Sequence, residues 1–267
     1  MLLPLRRLMA ATLLGNCGLV AAPAIADETA PPGAFAVTGS ATVVSQYRFR
    51  GLAQSDNGPA VQGALTVSHQ SGFYIGAWAS SAQAGKGPID IGGSEVDLYG
   101  GYTHTFSGSG VTLDLGGYGY LYPGASSGNY YELYGSLAKS LGPASAKLGV
   151  NVAPRQNVFN YNWTSPKRSN VYVYGELGSS IPGTPVTLHS HLGYTSGGFA
   201  WAKNYLDYSL GASARWKRLT FDLSLVGTNV GKADIDRGFG CTGSAACIDT
   251  YHRMSKTVAV ASISASF

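Results

Sequence analysis

A short stretch of the sequence, LHSHLG, holds residue types that nucleophilic catalysis or metal binding would use. It places His189 and His191 on either side of Ser190. In a strand the two histidines share one face and the serine points to the other, so the hydroxyl and its base lie out of hydrogen-bond reach. A histidine pair at this spacing can chelate a metal, but His69 or His104 would supply a third ligand only through tertiary packing. We therefore expect two polar, inward-facing histidines, with no catalytic residues, no metal and no cofactor.

Single charges inside otherwise apolar, alternating segments are the second chemical feature. Arg48 and Arg50 alternate with Tyr47 and Phe49, and later segments oppose an apolar row to a row that holds an isolated charge. A charge costs roughly 2–4 kcal/mol at the lipid midplane and little in a wet lumen, so in a membrane-spanning barrel such rows face inward. The charges predicted to line a pore are Arg48, Arg50, Glu95, Asp97, Asp114, Glu132, Lys147, Glu176, Asp207, Arg215 and Asp222.

The elements that carry these rows alternate apolar and polar residues at period two and are separated by Gly, Pro, Ser and Asn, which predicts β-strands. Twelve such segments lie at 35–50, 60–70, 72–81, 94–106, 111–122, 129–141, 144–154, 169–181, 186–195, 205–216, 218–229 and 255–267. Strands of soluble sandwiches are usually about 5–6 residues long, whereas a tilted strand of about 9–11 residues spans a bilayer. Segment length therefore favours a transmembrane sheet.

Short and long connections alternate along the chain. The turns at 70–72 and 107–110 are tight, whereas Gly51–Pro59 and Gly231–Met254 are long. Outer-membrane barrels have this asymmetry, with short periplasmic turns and long external loops. The sequence thus predicts an all-β fold, a transmembrane antiparallel up-and-down β-barrel of about 12 strands.

The first strand is predicted to continue as far as Arg50. Tyr47 and Phe49 would then lie at the outer lipid interface, where aromatic side chains are enriched. Arg48 and Arg50 would point into the mouth of the lumen, and the first external loop would start at Gly51.

The first 26 residues have the features of a secretory signal peptide. Arg6 and Arg7 precede a short apolar run that ends in the small-residue cleavage site Ala24–Ala26. We expect cleavage after Ala26, which leaves residues 27–267 as one barrel domain. An uncleaved anchor is disfavoured because a spanning helix needs about 20 apolar residues. The net charge of +4 falls to +2 without the two arginines, which does not indicate a nucleic-acid partner, and we expect none.

Export would place the remaining cysteines in an oxidising compartment. Cys241 and Cys247 lie within the long connection Gly231–Met254. Exported cysteines close in sequence usually pair, so we expect a loop disulfide. Metal binding is the weaker interpretation, because no cluster of His or acidic residues lies between them.

Residues Ser45–Gly51 and 54–63 resemble the start of the TorF family of proteobacterial proteins, which are described as porins. Looser similarities are YIGAWAS at 74–80 and EVDLYGGY at 95–102. The terminal Phe267 resembles the assembly signal of bacterial outer-membrane barrels. The resemblance implies an outer-membrane pore that contacts outer-membrane lipid and lipopolysaccharide and is inserted by the barrel assembly machinery.

The expected function is passive diffusion of small hydrophilic solutes through a narrow, charge-lined lumen in the bacterial outer membrane. Opposed charged walls could select polar solutes, or the charges could neutralise one another in a filled lumen. Twelve strands lie between small filled barrels and wide porins. There are two alternatives to the pore. The first is a non-conducting barrel whose loops act as an adhesion or receptor surface, and the second, which is less favoured, is an outer-membrane hydrolase. A charged fraction of only 12%, with 37 Gly and 17 Tyr, points away from an ordinary cytosolic enzyme.

Overall fold

The computed structural model describes residues 33–83, 91–159 and 168–267. Twelve antiparallel strands form a closed barrel in which sequential strands are neighbours and the last strand pairs with the first. The predicted transmembrane up-and-down β-barrel is confirmed. The predicted signal peptide and its cleavage site lie outside the described residues. Within the described ranges, no helix is long and apolar enough to cross a membrane.

The strands follow the predicted segments closely, apart from the first. The barrel strands are β1 Phe35–Val44, β4 Ala60–His69, β5 Phe73–Ser81, β6 Ser94–Thr105, β7 Val111–Leu121, β8 Tyr130–Leu141, β9 Ala144–Ala153, β10 Asn170–Ser180, β11 Val186–Gly197, β12 Tyr205–Trp216, β13 Leu219–Thr228 and β14 Val258–Ser266. A small hairpin, β2 Arg48–Phe49 and β3 Leu52–Ala53, forms a separate two-stranded sheet. Tight turns and longer connections alternate, so the barrel has a short-turn end and a long-loop end.

The two faces of the barrel differ as the alternation predicts. Outward-facing side chains are apolar and exposed, and Leu148 and Ile75 reach 69% and 68% exposure. The alternate residues point inward and are largely polar, aromatic or charged. The outward apolar side chains are stable in contact with lipid, and the inward polar ones are stable in an aqueous or hydrogen-bonded interior. This difference is the physical basis of the transmembrane assignment.

Inward tyrosines pack over glycines on neighbouring strands, which gives both residue types a structural role in the wall. Tyr174 pairs with Gly149 across β9 and β10, and a Cβ placed on Gly149 would lie 2.4 Å from the Tyr174 ring. The same close approach joins Tyr99 to Gly76, Tyr74 to Gly101, Tyr134 to Gly116 and Tyr172 to Gly193. An aromatic ring thus covers the gap that a strand glycine leaves, and the lumen wall is filled by rings that lie along it.

The first strand is shorter than predicted, and the residues after it turn into the barrel. β1 ends at Val44, where Val44 is the direct partner of Ala60 in β4. Residues 45–59, here called the inward segment, contain the small hairpin, and all of them except Ser45 and Pro59 are buried or half-buried. Tyr47 is only 5% exposed and packs with Trp78 inside the barrel. The expected position of Tyr47 and Phe49 at the lipid interface, and of residues 51–59 as an external loop, is therefore wrong.

The long connection between β13 and β14 contains two helices that the period-two pattern did not indicate. They are α1 Lys232–Phe239 and α2 Ala245–His252, and residues 231–254 are here called the helical cap. α1 ends at Gly240, whose φ of 62° gives the left-handed conformation usual after a helix. Ile235 of α1 is buried in an apolar cluster with Leu52 of the inward segment and Tyr205 of the barrel wall.

Candidate functional site in the barrel lumen

The inward segment brings two arginines into the lumen, and both are almost fully buried. Arg48 is 1% exposed and Arg50 is 2% exposed. Arg50 adopts a φ of 47°, which is uncommon for a residue other than glycine, and Gly51 follows at 77°. A Cβ on Gly51 would lie 2.7 Å from the carbonyl oxygen of Gly227, so only glycine allows the segment to approach the wall this closely.

Arg50 forms an ion pair with Glu132 at the centre of a buried layer. Arg50 Nη2 lies 2.6 Å from Glu132 Oε2, and neither side chain is exposed. Asn151 Nδ2 donates to the same carboxylate oxygen at 3.2 Å, and the guanidinium carbon lies 4.2 Å from the centre of the Tyr172 ring. The Asn151 hydrogen bond and the cation–π contact stabilise the buried pair, while Arg50 Nε, Arg50 Nη1 and Glu132 Oε1 have no hydrogen-bond partner among the described residues.

Arg48 holds the inward segment against the helical cap. Its Nη1 donates to the carbonyl oxygen of Met254 at 2.7 Å, and its Nη2 donates to Gln46 Oε1 at 2.7 Å and to Asn57 Oδ1 at 2.6 Å. The backbone amide of Ala53 donates to the same Met254 carbonyl at 3.0 Å. Residues far apart in the chain are thereby fixed to one another at the long-loop end.

Two salt bridges join the cap to its surroundings. Arg253 of the cap pairs with Asp56 of the inward segment. Lys203 Nζ lies 2.8 Å from Asp234 Oδ2 in α1, and the hydrogen bond from Lys203 holds the pKa of Asp234 below its usual range. The cap is thus connected both to the segment in the lumen and to the neighbouring β11–β12 connection.

Histidine–carboxylate pairs occupy the wall formed by β10 to β13. His189 Nε2 lies 2.6 Å from Asp222 Oδ2. His191 Nε2 lies 3.1 Å from Asp207 Oδ1, and its Nδ1 lies 3.5 Å from Glu176 Oε1. The predicted pair of inward polar histidines is therefore present, and each histidine is satisfied by a carboxylate.

The described hydrogen bonds of His189 and His191 go to carboxylates and to the Tyr172 hydroxyl. Asp222, rather than a serine, contacts His189, while Ser224 Oγ donates to Asp222 Oδ1 at 2.6 Å. His69 instead hydrogen-bonds Ser71 at the short-turn end. In the described part of the chain, no three His, Cys, Asp or Glu side chains are grouped as a metal site would require.

A second group of carboxylates lines the opposite wall. Glu95 and Asp97 follow each other on the inner face of β6 and are 1% and 7% exposed. Tyr47 and Tyr122 hydrogen-bond to Glu95. Nearer the short-turn end, the Tyr74 hydroxyl donates to Asp114 Oδ1 at 2.6 Å.

The predicted charged residues lie at different depths of the barrel, and Asp222 is the partner of His189 described above. Arg48, Arg50, Glu95, Asp97, Glu132 and Asp207 are buried near the long-loop end, and Asp114 is buried closer to the short turns. Lys147 lies 3.7 Å from Glu176, with side-chain exposures of 19% and 33%. Arg215 lies apart, at the short-turn end, where its Nε donates to the carbonyl of Lys217 at 3.1 Å. The structure thus brings Arg50 to Glu132 and Lys147 to Glu176, and leaves Arg215 outside both groups.

Two inward-facing residues that the sequence analysis did not select complete the wall. Gln62 and Ser224 line a water-accessible cavity of about 60 Å³ together with Arg50, Asp207 and Asp222. A cavity of this size holds a few water molecules. The period-two pattern could have found both, because each shares a face with other inward residues of its strand.

Cys241 and Cys247 are joined by a disulfide with a Cα–Cα separation of 5.6 Å. The bridge connects the second residue after α1 to the third residue of α2, and Cys241 is buried in the apolar cluster of the cap. It therefore fixes the two helices relative to each other.

Similar proteins share this architecture at low sequence identity. The NanC porin matches with a TM-score of 0.53 and 12% identity over 87% of this chain and 99% of that chain. The COG4313 outer membrane channel from Pseudomonas putida F1 matches with a TM-score of 0.50 and 11% identity over 89% of this chain and 96% of that chain. At such identities the likeness shows the fold alone. A comparison with curated protein sequences finds no match.

The family comparison covers the whole described barrel. Residues 28–267 match the profile of a family described as bacterial protein of unknown function, Gcw_chp. This range includes the inward segment, all twelve barrel strands and the helical cap. The chain therefore belongs to the Gcw_chp family of bacterial proteins.

Proposed function

We propose that this protein is a porin-like channel of the bacterial outer membrane, through which small hydrophilic solutes diffuse passively along a narrow, charge-lined lumen. The observation that carries the proposal is the row of charged and polar side chains on the inner face of a closed barrel whose outer face is apolar. Polar solutes cross a membrane only where such groups replace part of their hydration. The role is non-enzymatic, and the carboxylate contacts of His189 and His191 fit a lumen wall.

Two likenesses support the proposal. The barrel shares its fold with the NanC porin and the COG4313 outer membrane channel. The resemblance of residues 45–63 to the TorF family of porins falls on the inward segment, so the most distinctive part of the sequence lies inside the lumen. The exposed apolar belt would contact outer-membrane lipid and lipopolysaccharide, and Phe267 would be the signal for the barrel assembly machinery.

The inward segment obstructs the lumen, so conduction requires that it move. At the level of Arg50 and Glu132 the lumen is filled by side chains, apart from a cavity that holds a few water molecules. A solute entering from the long-loop end therefore passes only when the inward segment shifts. This closed layer also favours a second candidate function, a non-conducting barrel whose loops and helical cap form a receptor or adhesion surface.

Removing the inward segment separates the two candidates. Because Val44 and Ala60 are direct partners at the ends of β1 and β4, a tight Asn-Gly hairpin in place of residues 45–59 should preserve the barrel. In planar bilayers we expect small or infrequent conductance steps for the unaltered protein and larger, frequent steps for this variant. A heat-modifiable shift in gel mobility verifies that both barrels are folded. If neither barrel conducts at any voltage, the channel is refuted and the receptor surface is favoured.

A further inference from the structure

A small cavity lies between the inward segment and strands β5 to β7, on the side of the lumen away from the histidines. It has a volume of about 20 Å³, which is enough for roughly one water-sized group. Its walls are aromatic, and the residues are Tyr47, Phe49, Trp78, Tyr99, Tyr118 and Tyr120. These six side chains are here called the aromatic cage.

The cage rings contact one another closely and belong to two separate parts of the chain. Tyr47 of the inward segment lies 5.4 Å from Trp78 of β5, measured between ring centres. Phe49 lies 5.7 Å from Tyr120 of β7. Tyr99 and Tyr118, on β6 and β7, are 5.2 Å apart. The inward segment thus closes a pocket that the barrel wall leaves open.

One carboxylate, that of Asp97, lies in the wall of the aromatic cage. Asp97 lines the cavity and is 7% exposed. Its Oδ1 atom is buried and has no hydrogen-bond partner among the described residues. Glu95, two residues earlier on the same face, is also buried and retains one unpartnered oxygen within the described ranges. No described basic side chain forms a salt bridge with either carboxylate.

Glu95 and Asp97 hydrogen-bond each other. Two such buried carboxylates, with no salt bridge to a described basic side chain, require a compensating positive charge, either a proton or a cation. The faces of Trp, Tyr and Phe rings attract cations through their quadrupoles, and the attraction grows when the cation is desolvated. An ammonium group also donates up to three hydrogen bonds, and Asp97 Oδ1 offers an acceptor without a partner among the described residues. The cavity therefore matches a small cationic donor in charge, in shape and in hydrogen bonding.

We propose that the aromatic cage and Asp97 bind the ammonium group of small primary amines. The site deepens the proposed channel function, on which it rests only for the route by which the amine arrives. The cavity volume admits one ammonium group and excludes a quaternary ammonium with four methyl groups. The ligand class is thus a primary amine whose remaining part extends into the lumen.

Calorimetric titration of the detergent-solubilised full barrel with methylammonium chloride tests the site. Asp97→Asn keeps the size of the side chain and removes its charge, so we expect at least about a tenfold loss of affinity. Asp114→Asn is the matched control, because Asp114 is an equally buried lumen carboxylate outside the cage. We expect its affinity to remain within about twofold of the unaltered protein, since Asp114 supplies no contact to the cage. Heat-modifiable mobility confirms that both variants are folded.

The choice of ligands tests size and charge separately. Tetramethylammonium, which is too large, and methanol, which is uncharged, should each fail to displace methylammonium. Displacement by either one overturns the assignment, as does potassium competing as well as methylammonium.

Methylammonium binding tests the amine site and conductance tests the channel, so the two proposals can fail independently. No binding of methylammonium, or equal losses in Asp97→Asn and Asp114→Asn, refutes the site whether or not the barrel conducts. Methylammonium binding that depends on Asp97 in a barrel without conductance supports the site and refutes the channel.

Discussion

Arg50 and Glu132 meet in the barrel lumen at 2.6 Å, with no exposure of either side chain. The arginine comes from a segment folded in between two wall strands, and the glutamate comes from the wall itself. This ion pair fixes the inward segment at the level where the lumen is filled. Most consequences that can be tested follow from this relationship and from the packing around it.

Breaking the buried ion pair should destabilise the protein strongly. Arg50→Met leaves the Glu132 carboxylate buried without its cation, which costs about 3–5 kcal/mol in comparable pairs. Urea unfolding of the barrel in lipid vesicles, followed by tryptophan fluorescence, measures the change in the free energy of unfolding.

The double variant Arg50→Met with Glu132→Leu is the control for this measurement. It removes both charges, so we expect it to be more stable than Arg50→Met alone. If the single variant unfolds at the same urea concentration as the unaltered protein, the ion pair does not hold the inward segment in place.

The packing of tyrosine over glycine predicts an asymmetric response to valine. Gly149→Val inserts side-chain atoms where the Tyr174 ring lies, with the first of them 2.4 Å from that ring. Overpacking of this kind typically costs about 1–3 kcal/mol.

Gly119→Val is the matched control, because the nearest atom to its new Cβ is 3.9 Å away. We expect the control to unfold at or above the urea concentration of the unaltered protein, since valine favours strands. Equal losses in both variants would show that the ring contact has no special energetic role.

The disulfide should stabilise the helical cap without holding the barrel together. Replacing Cys241 and Cys247 by serine releases a small loop, for which chain entropy gives about 2 kcal/mol. Hydrogen exchange measured by mass spectrometry should show faster exchange in α1 and α2 and unchanged exchange in the barrel strands. Protection of the cap that persists after the double substitution would contradict a stabilising role for the disulfide.

The charges of the lumen predict a preference for cations in an open barrel. The variant without residues 45–59 lacks Arg48 and Arg50, so seven acidic candidates and two basic ones, Lys147 and Arg215, remain on its wall and make the lumen net negative. Reversal potentials in a salt gradient, measured on the variant without residues 45–59, should indicate cation selectivity.

Single substitutions test this selectivity in opposite directions. Asp222→Asn should shift the reversal potential towards zero, because it removes a negative charge from the lumen wall. Arg215→Gln should shift it the other way. Shifts of the same sign for both variants would contradict the electrostatic explanation.

The sequence by itself determined the strands, their faces and the alternation of turns. Period-two patterning and Gly-rich turns are local signals, because each strand shows its lipid face and its inner face within about ten residues. The inward positions of Glu132 and Asp207 were predicted for this reason. The local pattern also explains why the predicted strand ends agree with the structure at eleven of the twelve strands to within about three residues.

Only the tertiary structure decided what fills the lumen. The alternation of Tyr47 to Arg50 continues the strand pattern past Val44, so no local signal shows that the chain turns inward there. What holds it inside is the Arg48 contact to the carbonyl of Met254, 206 residues away in sequence, and the Arg50 contact to Glu132, 82 residues away. Such contacts form only when the barrel closes. The sequence pattern of a single strand carries no information about them.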